Sequence, residues 1–254
     1  MNKKYCVANW KMNQSLEDCD IFIDKLNSEL IHNGVEMIIC PSFVHLTQMQ
    51  KSLNDLQIKL GAQTISEYSN GAYTGETSAE MLNDLNINWT IIGHSERRQL
   101  FDETNDDINN KLKVSISKKI NPILCIGETL TERKNRKTLE VLKRQIQVAC
   151  DSIDFSNVEF VIAYEPVWAI GTGEAADLET ISETHEQIRS ILPELIASSN
   201  HISILYGGSV NPGNCKNIIN IDNVDGFLIG GASLDPQKFL SIYTQMNEIG
   251  VESI

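Results

Sequence analysis

Apolar positions gather in about eight short runs along the chain: YCVANW at 5 to 10, EMIIC at 36 to 40, IKLGAQ at 58 to 63, WTIIG at 89 to 93, PILCIG at 122 to 127, FVIAYE at 160 to 165, ISILYG at 202 to 207 and GFLIG at 226 to 230. Most are near-continuous rather than alternating, which predicts strands covered on both faces, as in a parallel sheet. Segments between them carry helical spacing, clearest at Leu139, Leu142, Ile146, Ala149 and Ile153, then at Leu178, Ile181, His185, Ile188 and Leu192. Ser15 with Asp18 predicts a capping box, Asn211-Pro212 and Asp235-Pro236 each predict a capped start, and Pro193 predicts an end or kink in the second stripe.

Strand and helix alternate without a linker or low-complexity tract, so the units should form one sheet with right-handed crossovers. Eight units favour a single α/β domain over residues 1–254, closed as a (β/α)8 barrel; an open doubly wound sheet is the rival, and patterning separates the two only weakly.

At 254 residues with 41% hydrophobic content, the chain can bury one continuous core. Its formal net charge of -13 argues against nucleic acid and anionic membranes as partners. Six scattered cysteines with no C-x-x-C pair suit a reducing compartment, the cytoplasm. The N-terminal apolar stretch is too short for a signal peptide and breaks at Asn9, and no stretch approaches a membrane span.

In such barrels, chemistry collects at the carboxyl ends of the strands. There the sequence places Asn9 and Lys11, then His94, Ser95 and Glu96, then Glu165, then Gly207, Gly208 and Ser209, then Gly230 and Gly231. Singly, each has an ordinary reading: a solvated lysine, a structural histidine, a loop carboxylate, a turn. Together they supply a base, a proton donor, a cation and two glycine-rich turns that can bring main-chain N–H groups close to a phosphate, aided by a short helix opening at Gly230-Gly231-Ala232-Ser233.

ANWKMN at 8 to 13, GAYTGE at 71 to 76, IIGHSERR at 91 to 98, CIGETL at 125 to 130, AYEPVWAIGTG at 163 to 173, YGGSV at 206 to 210 and LIGGASL at 228 to 234 resemble the triosephosphate isomerase family in order and spacing over essentially the whole chain. AYEPVWAIGTG and IIGHSERR are the most specific. The resemblance implies a TIM barrel. It also implies an aldose-ketose isomerase of glycolysis and gluconeogenesis that interconverts dihydroxyacetone phosphate and D-glyceraldehyde 3-phosphate without cofactor or metal. By the same likeness Glu165 is the base and His94 the electrophile, Lys11 and Asn9 hold substrate oxygens, and Glu96 lies nearby, with a purely structural ion pair as its alternative. Gly171, Ser209, Gly230 and Gly231 are implied for phosphate. GAYTGE implies a homodimer, with Tyr73, Thr74 and Gln63 at the contact.

Pro166, Val167, Trp168, Ala169, Ile170, Gly171, Thr172 and Gly173 read as a lid: a proline at one end, glycines at the other, and an apolar tip able to exclude water. Three positions depart from the family pattern. Glu174 and Asp235 stand where lysine is common, Asp235 serving as a helix cap, and Asn135 replaces a frequent glycine where left-handed backbone is expected. The C-terminal tail runs past the usual end.

Rival functions fit less well. Gly171-Thr172-Gly173-Glu174-Ala175-Ala176 satisfies G-x-G-x-x-A, but five residues including Pro166 separate it from Glu165, so it does not follow its strand as a dinucleotide fingerprint should. Three consecutive residues, His94, Ser95 and Glu96, cannot readily form a hydrolytic triad, and the five histidines lack metal-ligand spacing. A non-catalytic scaffold would not need the full chemical set.

Overall fold

Eight strands pair in parallel and close on themselves: β1 (Tyr5–Asn9), β2 (Glu36–Cys40), β3 (Lys59–Ala62), β4 (Trp89–Ile92), β5 (Asn121–Ile126), β6 (Val161–Tyr164), β7 (Ser203–Tyr206) and β8 (Gly226–Ile229), with β8 returning to pair with β1. This computed structural model describes residues 3–32, 34–53, 56–170, 176–197 and 201–246. Closure decides between the two sheet topologies in favour of the barrel, and each strand lies within two residues of its predicted run.

The near-continuous apolar runs have a direct cause. Successive strand side chains face opposite ways, and both ways are dry. Tyr5, Val7, Ile38, Cys40, Trp89, Ile91, Ile123, Cys125, Val161, Ala163, Leu205 and Leu228 pack as one cluster, the filling of the barrel. Their neighbours Cys6, Ala8, Met37, Ile39, Leu124, Ile162, Ile204 and Phe227 belong to a second cluster shared with the helices.

Ten helices among the described residues supply the outer layer: α1 (Leu16–Glu29), α2 (Phe43–Ser52), α3 (Ala79–Asp84), α4 (Ser95–Leu100), α5 (Asn105–Ser117), α6 (Leu130–Lys134), α7 (Thr138–Ala149), α8 (Leu178–Leu195), α9 (Cys215–Ile219) and α10 (Pro236–Gln245). The Ser15–Asp18 capping box opens α1, and Asp235 accepts from the N–H groups of Gln237 and Lys238 with Pro236 at the first helical position of α10. Helix α7 buries Leu142, Ile146 and Ala149 as its stripe predicts, but Leu139 is exposed and Ile153 lies beyond the helix end. In α8, Ile181, His185, Ile188 and Leu192 are buried while Leu178 is exposed.

Three expectations need correction. Pro193 does not end α8, which runs to Leu195; the ring has no N–H to give to the preceding turn, but the Ile196 N–H still reaches Leu192 O at 2.9 Å and carries the helix past it. Asn211 Oδ1 accepts from the Gly213 N–H and so caps a turn rather than α9, which starts at Cys215. Asn135 has φ -83, and the left-handed residue is the next one, Arg136, at φ 58.

Cys6, Cys19, Cys40, Cys125, Cys150 and Cys215 are free and buried. Among the described residues no helix is long and apolar enough to cross a membrane.

Buried His185 sits between the rings of Tyr164 and Tyr206, its Nδ1–H donating to Asn223 O at 3.0 Å while Nε2 has no hydrogen-bond partner among the described residues. Burial pushes its imidazole down from 6.5 to about 4. The unfolded chain therefore binds the extra proton between those values, so stability is full above about pH 6.5, falls as pH drops toward 4, and loses about 3 kcal/mol in all. His185→Leu should remove this component: the gap in unfolding free energy between wild type and variant should shrink by about that amount from pH 7.5 to pH 4. A pH-independent gap would place the titration elsewhere.

Candidate active site

The alternation that fills the barrel also selects what lines its mouth. Continuing the inward-facing positions past each strand end leads from Val7 to Asn9, from Ala163 to Glu165, from Leu205 to Gly207 and from Leu228 to Gly230. These four residues, with Lys11, His94, Gly208, Ser209 and Gly231, border a single cavity of about 420 Å³. Residues spread through the sequence thus meet at one rim.

Glu165 is buried, yet its carboxylate is fully engaged. Oε2 accepts from the Ser95 N–H at 2.9 Å, and Oε1 lies 3.0 Å from His94 Nε2 and 3.3 Å from Ser95 Oγ. Burial alone would raise its pKa, but the adjacent His94 and the Ser95 amide hold it below the usual carboxylate range. A base that stays ionised in a dry pocket is the result.

His94 precedes α4 as its N-cap, and its Nδ1 accepts from the Glu96 N–H at 3.2 Å. That bond assigns the ring's single proton to Nε2, the nitrogen turned to Glu165. Burial pushes the imidazole down, and Glu165, followed by Glu96, more than offsets this and raises it.

Lys11 lines the same cavity, its Nζ hydrogen-bonded to Glu96 Oε1. Its backbone is left-handed, at φ 53, a conformation costing a non-glycine residue about 1–3 kcal/mol. Several bonds hold it there: the Lys11 N–H donates to Asn9 Oδ1 at 3.1 Å, while Lys11 O accepts from Gln63 Nε2 at 2.7 Å and Ser42 Oγ at 3.1 Å. Gln63, expected at a dimer contact, also ties this loop to Cys40 O.

At the turn after β8 the single Ser233 hydroxyl proton is shared between Ile229 O and Gly230 O, and Trp10 Nε1 donates to Ser233 O at 3.0 Å. These bonds shape the turn that bares Gly230 and Gly231. The helix expected to open there is one 3-10 turn, Gly231–Leu234, which offers individual amides rather than a long helix dipole. Gly208 has no room for a side chain: a Cβ would lie 2.3 Å from the Tyr206 hydroxyl oxygen.

Within the expected lid, Pro166 leads into a 3-10 turn over Val167–Ala169. Trp168 Nε1 donates to buried Glu128 at 3.0 Å, beside bonds from Tyr164 and Arg133, and Ser209 Oγ donates to Ala169 O at 3.3 Å. Ile170 borders the cavity. Gly171, Thr172, Gly173 and Glu174 lie outside the described residues, as does the tail from 247 onward. Tyr73 and Thr74 are exposed at a loop tip, where the Tyr73 ring stacks on Tyr68 at 3.8 Å.

Two supports escape sequence reasoning. Ser95 is expected at the rim, but no sequence signal marks it as the donor to Glu165. Gln145, buried on α7, accepts from the Gly127 N–H and donates to Gly127 O, both at 2.9 Å. Gly127 in turn lies so near the base's main chain that a Cβ would come within 1.9 Å of Glu165 O. The one available signal is a glutamine inside an apolar helical stripe.

Replacing Glu165 by Gln removes the charge that raises His94, so the His94 pKa should fall in an NMR titration, with Nδ1 unprotonated in the neutral ring. A neutral ring protonated at Nδ1 would contradict the Nε2–H tautomer.

A family profile described as triosephosphate isomerase matches residues 4–246. Curated proteins named triosephosphate isomerase are similar over nearly their full lengths. That of Thermodesulfovibrio yellowstonii is 47% identical over 246 residues, covering 95% of this chain and 99% of the relative. Those of Dictyoglomus turgidum and Alkaliphilus metalliredigens are 46% and 42% identical, with the same coverage. With the closed barrel and the cavity at the ends of its strands, these matches mean that the chain belongs to the triosephosphate isomerase family.

Proposed function

We propose that this chain interconverts dihydroxyacetone phosphate and D-glyceraldehyde 3-phosphate, in glycolysis and gluconeogenesis, as one isomerase domain spanning residues 1–254. The observation that carries the reading is the pairing of an ionised, buried Glu165 with the Nε2 of His94 at 3.0 Å on the wall of a cavity that also contains Lys11.

The chemistry follows from that pairing. Substrate entering the cavity offers its carbonyl oxygen to the His94 Nε2–H, releasing Glu165 to take a proton from the carbon beside it. Charge then builds on oxygen, where His94, the Lys11 ammonium and the Asn9 amide stabilise the enediolate; one such donor contributes about 3 kcal/mol, and a positioned base about 10² to 10⁴ in rate. His94 gives its Nε2 proton to one enediolate oxygen and takes the hydroxyl proton from the other, Glu165 returns the carbon-bound proton to the neighbouring carbon, and no net charge or atom is lost. Glu96 keeps Lys11 extended across the pocket.

Main-chain amides around Gly171, Ser209, Gly230 and Gly231 hold the phosphate. Residues 166–173 close over it: Trp168 must leave Glu128 for the tip to move, and closure excludes water from a reactive enediolate. The reaction needs no cofactor or metal, because each proton has a protein carrier.

The protein acts as a cytoplasmic homodimer. Six free buried cysteines suit a reducing compartment. Exposed Met12, Val44, Tyr73 and Phe101 are apolar surface that a second copy would cover, with Thr74 and Gln63 close to the contact.

A coupled isomerase assay tests the reading: wild type should turn over, and Glu165→Gln should be folded but nearly inactive. Glu165→Asp withdraws the carboxylate by about one bond length and should lower kcat by about 10² with little change in KM; wild-type turnover would remove Glu165 as base. Ser209→Asp sets a negative charge against the phosphate and should raise KM by about tenfold or more, whereas an unchanged KM would take Ser209 out of the phosphate site.

A further inference from the structure

We infer that Lys238, in the first turn of α10, is an additional phosphate-attracting residue that sets the affinity and capture rate for the anionic substrate. The inference rests on the isomerase reading and extends it to a position that none of the recognised motifs includes.

Among the described residues, Lys11 and Lys238 are the two cationic side chains on the wall of the cavity. They are placed very differently. Lys11 is hydrogen-bonded to Glu96, so much of its charge is already answered by a carboxylate. Lys238 borders the same cavity, whose lining also includes Ser209, Asn211, Gly231 and Ala232, and its side chain is 60% exposed. Its ion-pair contact among the described residues is Asp235 Oδ2, at 3.8 Å. That carboxylate is occupied at its other oxygen, where Oδ1 accepts from the N–H groups of Gln237 and Lys238. A lysine held this loosely on a four-carbon stem can swing toward an arriving anion while its backbone stays fixed.

The surrounding charge gives this role weight. The chain carries a formal charge of -13, and a dianionic substrate approaching it meets net repulsion. Main-chain amides hold a phosphate at contact but act over a short distance. Asp235 adds a negative charge at the head of α10. A cation three residues later, on the cavity wall, offsets that carboxylate where the phosphate must pass.

The test uses Lys238→Met, Lys238→Glu and Lys238→Arg in the full-length protein, with steady-state kinetics and competitive inhibition by inorganic phosphate. Ionic strength is varied from 0.01 M to 0.15 M, over which the screening length falls from about 30 Å to about 8 Å. At low salt Lys238→Met should lower kcat/KM about three- to tenfold through KM, with kcat unchanged, and Lys238→Glu should lower it further. Phosphate inhibition should weaken in parallel, Lys238→Arg should restore both, and the differences should narrow as salt rises. Wild-type kcat/KM and phosphate inhibition in both Lys238→Met and Lys238→Glu at low salt would overturn the inference, as would a salt-independent loss confined to kcat. Phosphate binding measured by calorimetry does not require turnover, so a failed isomerase reading would be distinguishable from a failed role for Lys238.

Discussion

Closure of eight parallel strands imposes one constraint from which the rest of the molecule follows: every second side chain must point into a filled, waterless interior. Within the strands that demand is met by Val7, Ile91, Ala163 and Leu228, among others. At the last step of each strand the interior opens, and the same direction now points at a pocket. Asn9 and Glu165 occupy such steps, and glycine stands at 207 and 230, where main chain rather than side chain is presented. The scaffold thus sets the direction of each chemical group before any local interaction refines it.

The refinement is electrostatic. A carboxylate buried as deeply as Glu165 would ordinarily take up a proton, and it is kept charged by the Ser95 amide and the His94 ring. His94 in turn receives the Glu96 amide, and the Glu96 side chain receives Lys11. Lys11 tolerates a left-handed backbone because Asn9, Gln63 and Ser42 all bond to its peptide groups. Each member is oriented by another, and the cost of burying charge is spread over several strand ends.

Periodicity displays the strands well because burial on both faces writes the same apolar signal at every position, and the motifs single out Glu165, His94 and Lys11, which meet at one cavity. Features decided by local geometry are less legible. Pro193 looks like a helix stop, but the Ile196 N–H bonded to Leu192 O carries the last turn past it. Asn135 looks like the left-handed residue, yet the turn places that conformation at Arg136. Gln63 ties the main chain of Lys11 to that of Cys40, an interior role that spacing cannot express. Ser95 as carboxylate donor depends on a bond across 70 positions of sequence.

The glutamine on α7 that grips both polar atoms of Gly127 links the outer shell to the main chain beside Glu165. Its consequence concerns inheritance. A descendant lineage can exchange one oily residue for another along that helix, but at 145 it must keep an amide of the right reach, and at 127 it can keep only glycine. Part of what preserves this enzyme across generations is therefore written in its outer layer, where a survey of pocket residues alone would not look for it.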